Sequence, residues 1–314
     1  MNEYERIALA TRRKVSRLTL QQQRELLRLY EDAIDSLAVK ITKSRDKGLT
    51  QRWLIDYKKE LTRVKKELAK GINKSTRGFI TKAAKYGTGT EQQIMDKIFE
   101  LAGLDTGNHF TSMFSQVQDG IIKDILSGNL YKDNKTLSSR IWNISDAFDK
   151  DIQYIINQGI LEKKSAIELA RNLEKFVEEP AKRPWDWSKV YPKMINTQVD
   201  YNAQRLARTS INHAYQTASI QSSNANPFVE KIEWRSALIH GRTCNICRER
   251  HGQKYDKDKV PLDHPNGLCT MLPYIPKDLD NVADELKKWL DGGTNQKLDL
   301  WYNKYGDNFA FKKL

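Results

Sequence analysis

All three cysteines of the chain lie within 26 positions of one another, and a histidine lies among them. Cys244 and Cys247 form a C-x2-C pair, His264 follows after 16 residues, and Cys269 follows after four more. Three thiolates and one imidazole are a standard tetrahedral ligand set for Zn²⁺. The spacing therefore predicts a zinc site that is structural, because four protein ligands leave no open position for catalysis.

Two other interpretations of these residues stay open. His251, four positions after Cys247, is a spare donor that can replace His264. The thiols can also be buried and free, or remain from an ancestral site that no longer holds metal. Residues 240–276 contain little apolar material, so a metal would supply order that packing cannot. Three clustered thiols suit a reducing compartment.

Positive charge is concentrated in the first part of the chain. The net charge is +13, and residues 1–90 contain 22 Lys and Arg against 10 Asp and Glu, whereas residues 91–314 contain 31 and 30. Such asymmetry indicates a polyanionic partner, with a lysine-rich solvated face as the alternative. We predict that this region binds DNA phosphates without reading sequence. The predicted contacts are Arg12, Arg13, Lys14, Arg17, Lys58, Lys59, Arg63, Lys65, Lys66, Lys74 and Arg77.

Apolar residues recur at three- and four-residue steps in the same region, which predicts amphipathic helices. Residues 20–42 and 54–68 show this pattern, and the two helices are predicted to pair as a hairpin across Thr42–Thr50, which contains Ser44 and Gly48. Residues 71–90 contain four glycines among lysines. They are predicted to form a flexible link and a domain boundary.

The helical pattern resumes after this predicted link. Asp133 or Asn134 is a candidate cap for one helix, and Ser165 with Glu168 forms a capping box for the next. That helix should end near Glu179, before an irregular loop at residues 180–192. A long helix is then predicted over residues 194–222.

The pattern of apolar and polar residues changes after Pro227. Val229–Leu238 alternates apolar and polar residues and predicts a strand, residues 240–276 form a loop-rich knob, and a short helix follows at 278–290. The aromatic tail should dock on the chain's own core or on a neighbouring subunit; it contains Trp301, Tyr302, Tyr305, Phe309 and Phe311.

The predicted fold is mainly α, with a long N-terminal helical hairpin, a helical body and a small α+β, loop-rich knob near 228–276. The predicted parts are a basic helical region at 1–90, a helical body at 91–223, the Cys/His knob at 224–276 and a C-terminal helix with the aromatic tail at 277–314. The sequence contains no apolar run long enough for a membrane helix, and its first residues lack an apolar segment. We therefore expect a protein made in a cytoplasm.

Three sequence blocks occur in order in the C-terminal part. The first is Leu206-Ala207-Arg208-Thr209 with Asn212, the second is Glu233-Trp234-Arg235-Ser236-Ala237 followed by the C-x2-C pair, and the third is Pro261–Cys269. With the helix start at Lys164–Ala170, the chain over about 155–276 resembles the phage minor head proteins of the Mu F-like head-morphogenesis type. Arg208, Thr209 and Trp234 are its family-motif residues. Ser210 replaces the acidic residue that many members have there.

The resemblance implies a capsid protein present in few copies. Such a protein would lie inside the head near the portal protein, and would be present in the host cytoplasm during assembly. Its partners would be the portal protein, double-stranded DNA, and scaffold or major capsid protein. It would act in head assembly and in genome packaging or delivery, and not as an enzyme.

Competing interpretations explain fewer of the residues. An HNH-type zinc nuclease also combines C-x2-C with an Asp-His pair, here Asp263-His264, but no histidine follows to complete its metal site. A toxin-like transferase would need a catalytic domain, and about 38 residues after the knob are too few. A non-viral zinc-knuckle DNA-binding module explains the charge and the cysteines, but not the Arg208-Thr209 helix or the Trp234 block.

Overall fold

The computed structural model describes residues 2–43, 51–105, 109–162, 166–177, 201–238 and 243–306. Several sequence predictions lie outside these described residues. They are the turn at Ser44 and Gly48, the cap at Ser165, the loop at 180–192, the first residues of the helix predicted at 194–222, and the tail residues Phe309 and Phe311.

The described residues are mainly helical, with one small antiparallel sheet, as predicted. Strand β1 is central and pairs with β2 and β3, in the order β2-β1-β3. The strands are β1 (Lys231–Arg235), β2 (Lys254–Tyr255) and β3 (Thr270–Tyr274). The helices are α1 (Glu3–Thr42), α2 (Gln51–Leu101), α3 (His109–Ser127), α4 (Leu137–Leu161), α5 (Ala166–Val177), α6 (Tyr201–Ser223), α7 (Asn245–Arg250), α8 (Leu279–Leu290) and α9 (Gln296–Tyr305).

The chain forms two compact units, each built from separate stretches of sequence. The first unit contains Met1–Leu18, Phe79–Ile125 and Thr209–Leu314, and the second contains Thr19–Gly78 and Leu126–Arg208. The long helices α1, α2 and α6 contribute residues to both units. The predicted four-part division of the sequence stays a prediction.

The predicted helical hairpin forms part of the second unit. The side chain of Gln22 donates to Thr76 Oγ1 at 3.4 Å, and Leu29 lies against Gly71. Residue numbers therefore increase along α1 while those of the contacting residues decrease along α2. The antiparallel pairing confirms the hairpin. Tyr30 on α1 is fully buried and packs edge-on against Phe148 of α4, with ring centroids 5.7 Å apart.

The prediction of a flexible link at 71–90 is wrong, because α2 continues without a break from Gln51 to Leu101. Two of its glycines mark close approach and not flexibility. A Cβ at Gly71 would lie 2.8 Å from Leu29 Cδ2. A Cβ at Gly87 would lie 2.4 Å from the carbonyl oxygen of Tyr215 on α6, in the first unit. Because glycine has no Cβ, α2 packs against Leu29 at Gly71 and against the backbone of α6 at Gly87 more closely than a side chain would allow.

The cap of α4 also differs from the prediction. Thr136 is the cap, since its hydroxyl accepts from the backbone N–H of Ser139 at 3.1 Å. Asp133 instead pairs with Arg140, and Asn134 has a φ of 48° in the preceding turn. The predicted cap lies two or three residues too early, because Asp, Asn and Thr are all good helix N-caps.

The C-terminal helices of the first unit pack on its core. Asp278 caps α8 by accepting from the N–H of Asn281, which confirms the helix predicted at 278–290. Trp301 of α9 is 6% exposed, donates its indole N–H to the carbonyl of Ala225 at 2.8 Å, and packs against Phe99. This aromatic residue therefore docks on the chain itself. Within the described residues, every helix is too short or too polar to cross a membrane.

Gly87→Ala should destabilise the protein by about 2 kcal/mol or more, because the added methyl meets backbone atoms of α6 that cannot move aside. Gly89→Ala is the matched control on the same helix, since a Cβ there meets nothing within 4 Å. The control should stabilise by up to about 1 kcal/mol through helix propensity. Denaturant unfolding measures both, and a shift of equal sign and size in the two variants would contradict the packing assignment.

Glu91 of α2 is fully buried in the first unit and gives the protein a pH-dependent stability. Its carboxyl accepts from Ser223 Oγ at 2.7 Å and from Asn226 Nδ2 at 3.2 Å, with Lys257 nearby. Burial raises its pKa from 4.5 to about 7. Since the folded pKa is the higher one, the contribution of Glu91 is present below pH 4.5 and is lost as pH rises to about 7.

The free energy of unfolding of the wild type, relative to Glu91→Gln, should therefore fall by on the order of 3 kcal/mol across that interval. Urea unfolding at a series of pH values measures this difference. Glu100→Gln, at an exposed position on the same helix, is the matched control. A wild-type minus Glu91→Gln difference that stays flat with pH would refute the assignment.

Candidate metal centre and its polar support

The C-x2-C pair forms a tight turn at the start of α7. Cys244 has extended backbone and caps the helix, so that its Sγ accepts from the N–H of Cys247 at 3.4 Å. This N–H lowers the pKa of the Cys244 thiol. Cys244 is exposed, whereas Cys247 is 2% exposed. The turn therefore presents two thiols from one short segment, one at the surface and one in the interior.

His264 brings an imidazole to the same turn. Its Nε2 lies 3.5 Å from Cys244 Sγ, and its Nδ1 lies 2.9 Å from the carbonyl oxygen of Pro265. A proton on Nδ1 that is donated to this carbonyl leaves the Nε2 lone pair facing the thiol. The same hydrogen bond raises the pKa of His264. The ligand atoms of Cys244, Cys247 and His264 all lie within 4.8 Å of one another.

The third thiol lies on the buried side of the turn. Cys247, Asp263 and Cys269 form a second group whose ligand atoms also lie within 4.8 Å of one another. Burial raises the pKa of both Cys247 and Cys269. The two groups share Cys247, so the four residues that sequence spacing singled out form one continuous cluster. His251 belongs to neither group, and its Nδ1 accepts from the backbone N–H of Ser236 at 3.2 Å.

Asp263 supports this cluster, and sequence reasoning did not assign it that role. It is 3% exposed, and its carboxylate accepts four N–H groups. Its Oδ1 accepts from the backbone of His264 at 2.9 Å, and its Oδ2 accepts from the backbone of Cys269 at 3.3 Å. The side chains of Asn212 and Gln216 on α6 donate to Oδ2 at 3.1 and 3.4 Å. One carboxylate therefore fixes two of the candidate ligand residues against α6.

The loop around Asp263 closes over that carboxylate. A Cβ at Gly267 would lie 2.0 Å from Asp263 Oδ2, and Asn266 has a φ of 63°. The backbone N–H of Asn266 donates to Thr209 Oγ1 at 3.1 Å. The Pro-Asn-Gly signal for a turn was visible in the sequence, but the group that the turn encloses was not.

Arg12 takes part in the same network. Its guanidinium donates to Asn212 Oδ1 at 2.7 Å and lies 5.8 Å from the centroid of the Tyr215 ring. Burial lowers its pKa, and the charge of Asp263 acts in the opposite direction. Asn212 thus links Arg12 to Asp263. Arg12 was predicted to contact DNA phosphates, but its guanidinium is engaged inside the first unit.

Trp234 lies on the buried side of the cluster. It is fully buried on β1, its indole N–H donates to Ser236 Oγ at 3.2 Å, and Arg250 lies 4.9 Å above the ring. The Ser236 hydroxyl donates to the carbonyl of Cys247, and Cys269 Sγ lies 3.6 Å from the same hydroxyl. The Trp234 block of the sequence therefore positions both buried thiols. The other motif residue, Arg208, lies partly buried on α6.

The remaining predicted DNA contacts lie on α1 and α2. In the second unit, Arg63 pairs with Glu60 at 2.5 Å and with Glu67 at 2.6 Å. Lys65 pairs with Asp146 and, at 3.5 Å, with Asp149. Each of these two cations is therefore engaged by two carboxylates within the molecule. Besides Arg63, which is exposed although paired, the exposed members of the set are Arg13, Lys14, Arg17, Lys58, Lys59, Lys66, Lys74 and Arg77.

A shallow groove of about 810 Å³ in the second unit runs along α2 beside α4. Its apolar part includes Ile141 and the partly exposed Trp142, and its rim includes Lys66, Lys70 and Lys74. Sequence reasoning missed Lys70. Its position, four residues after Lys66 and four before Lys74, is the signal that places it on the same helix face.

Comparison with known proteins identifies the C-terminal part of the chain. Residues 150–270 match the family described as Phage Mu protein F like protein. The chain carries a Phage Mu protein F like region. The resemblance inferred from the three sequence blocks is thereby confirmed for that stretch. No curated protein and no solved structure matches.

The Mu F-like region contains the whole cluster. It spans all four candidate ligands together with Asp263, and it ends one residue after Cys269. Most of its sequence blocks therefore meet around one buried carboxylate. The basic part of α2 lies outside the matched residues.

Asp263→Asn should lower the free energy of unfolding by about 2 kcal/mol or more, because an amide places a donor where buried N–H groups need an acceptor. Asp258→Asn removes an exposed carboxylate from the same knob and should change stability by no more than about 0.5 kcal/mol. Denaturant unfolding of the two variants measures the contrast. Equal stability of both would show that the Asp263 network does not hold the loop.

Proposed function

We propose that this protein is a minor component of a phage head that lies near the portal and binds double-stranded DNA without sequence preference. Its role would be in head assembly and in packaging or delivery of the genome. The Mu F-like region supports the role in the head. The observation that carries the DNA contact is a row of exposed cations on α2, defined by Lys66, Lys70, Lys74 and Arg77.

The geometry of this basic row suits a polyanion. Its members are spaced four, four and three residues apart, so they follow one face of the helix over about 16 Å. Lys66, Lys70 and Lys74 form no ion pair within the described part of the chain, so their charge faces solvent. A duplex presents about one phosphate charge per 1.7 Å of its axis, so an uncompensated line of ammonium groups is a favourable partner.

The acidic residues around the row do not cancel it. Glu67 lies on its rim but is paired with Arg63, and Asp146 and Asp149 on α4 are paired with Lys65. The four carboxylates paired with Arg63 and Lys65 outnumber these two cations by two charges, and the four cations of the basic row exceed that difference by two. Long-range electrostatic repulsion between the carboxylates around the row and the DNA phosphates is therefore reduced.

The mechanism is binding and not chemistry. Lysine ammonium groups that replace condensed counterions bind phosphates irrespective of base sequence, and this mode gives a steep dependence of affinity on salt. The proposed partners are DNA and the portal protein, with scaffold or major capsid protein as further head components. The portal contact is proposed from the family, and no residue is assigned to it.

Replacement of Lys66, Lys70 and Lys74 by Gln should weaken duplex DNA binding and reduce its salt dependence. The slope of log K against log salt should become less steep by about 0.9 for each lysine that contacts a phosphate. Binding of a short duplex, followed by fluorescence anisotropy at several salt concentrations, measures both quantities. The variant should unfold at the wild-type temperature, because all three side chains are exposed.

The matched control removes the same charge elsewhere. Lys123, Lys150 and Lys288 are exposed, form no ion pair in the described residues, and lie on α3, α4 and α8. Their triple replacement by Gln lowers the net charge equally and should leave most of the affinity and the salt slope intact. If both triple variants lose the same affinity, DNA binding is a general charge effect and the assignment to the basic row is wrong.

The role in the head is tested separately. When a tagged copy is expressed with the portal protein of the same phage, it should copurify with the portal. The triple variant Lys66→Gln, Lys70→Gln, Lys74→Gln should still do so, since it changes only the proposed DNA face. Failure of the wild type to copurify with the portal and to be incorporated into heads would reject the head assignment while leaving any DNA binding unaffected.

A further inference from the structure

We propose that the knob binds one Zn²⁺ ion through Cys244 Sγ, Cys247 Sγ, His264 Nε2 and Cys269 Sγ, and that Asp263 holds two of these ligand residues in place without binding the metal itself. This inference is independent of the proposed DNA contact, because the residues involved belong to the first unit and the basic row belongs to the second. The metal would be structural.

Distances between the ligand atoms favour this ion. Zn–S bonds of about 2.3 Å and Zn–N bonds of about 2.0–2.1 Å, arranged tetrahedrally, place neighbouring ligand atoms about 3.5–3.8 Å apart. Cys244 Sγ and His264 Nε2 are 3.5 Å apart. Cys247 Sγ lies within 4.8 Å of both of these atoms and also within 4.8 Å of Cys269 Sγ. Three of the donors therefore already form one group, and Cys269 joins it through Cys247, so that its thiol has to move toward Cys244 and His264 when all four bind one ion.

The fourth ligand is Cys269 and not Asp263, although both lie near Cys247. The carboxylate oxygens of Asp263 already accept four N–H groups, and coordination of a metal would compete with those hydrogen bonds. A thiolate is also the softer donor and is the preferred partner in a site that contains other thiolates. Cys269, 3% exposed, closes the site from the interior.

The hydrogen bonds around the four proposed ligands are of the kind that orients metal ligands in proteins. The N–H of Cys247 points at Cys244 Sγ, and the Nδ1 of His264 is bound to a backbone carbonyl, which orients Nε2 toward the thiol. Asp263 binds the backbone N–H groups of His264 and Cys269, so it determines the spacing between the two ligands that come from the loop. Partners of this kind fix ligand orientation and are worth about 10- to 100-fold in metal affinity.

The proposed ion would join two segments that are separate in sequence. Cys244 and Cys247 belong to the α7 turn, whereas His264 and Cys269 belong to the loop that leads into β3. Half of the residues in this stretch between β2 and β3 are exposed. A cross-link by metal would therefore stabilise the knob where apolar packing is thin.

Metal content of the full-length protein, purified under reducing conditions without an affinity tag, tests the site directly. Elemental analysis should find about one Zn per chain. Replacement of Zn²⁺ by Co²⁺ should give the visible absorption of a tetrahedral ion with thiolate ligands. Protein that contains no zinc, and that fails to take up Zn²⁺ or Co²⁺ when either is added, would overturn the proposal.

Two histidine variants form a matched pair. His264→Gln removes a proposed ligand, and His251→Gln removes an exposed histidine of the same knob that lies outside both clusters. Competition with a chromophoric chelator should show a loss of Zn²⁺ affinity of more than about 100-fold for His264→Gln and little change for His251→Gln. The reverse result would assign the ligand to His251 and overturn this ligand set. Cys244→Ser, at an exposed position, should behave as His264→Gln does.

The positioning role of Asp263 has its own signature. Asp263→Asn leaves all four ligands in place, so its Co²⁺ complex should keep the tetrahedral thiolate spectrum while its Zn²⁺ affinity falls by about 10- to 100-fold. A changed spectrum in Asp263→Asn would instead make the carboxylate a ligand. An unchanged affinity would show that the carboxylate does not position the ligands.

Discussion

A buried carboxylate must be satisfied by hydrogen bonds or by opposite charge, and this requirement organises the first unit around Asp263. The four N–H groups that it accepts come from its own loop and from Asn212 and Gln216 of α6. Asn212 in turn accepts from Arg12 of α1, so the charge is supported by three segments far apart in sequence. Loss of this carboxylate would leave buried donors unpaired, and so the loop, α6 and α1 depend on it together.

Charge is handled in opposite ways in the two units. In the first unit the cation of Arg12 is committed to an internal network with Asn212, and Lys257 is directed at backbone carbonyls of Ser223 and Asn226. In the second unit Lys65 is neutralised by α4, while the lysines of the basic row stay exposed. The net charge of the chain alone would not show which cations are paired internally and which are exposed. The exposed row is the part that can act on a polyanion over several ångströms of solvent.

Much of the architecture was predictable because it follows from local periodicity. The apolar spacing gave the hairpin of α1 and α2, the helix after Asp278 and the strand around Trp234, since each element has one face that must be buried. The C-x2-C spacing and the downstream His264 and Cys269 also predicted a cluster that the structure brings together. The family blocks predicted the Mu F-like region, which the comparison confirmed.

Sequence by itself therefore determined the helical class, the position of the Cys/His cluster and the excess of positive charge, because composition, period and spacing are properties of the chain alone. Only the tertiary structure decided that Gly87 marks a close contact and not a link, that Arg12 belongs to an internal network, and that Asp263 supports the candidate ligands. Each of these depends on which residue of a distant segment lies within a few ångströms, and local sequence carries no information about that distance.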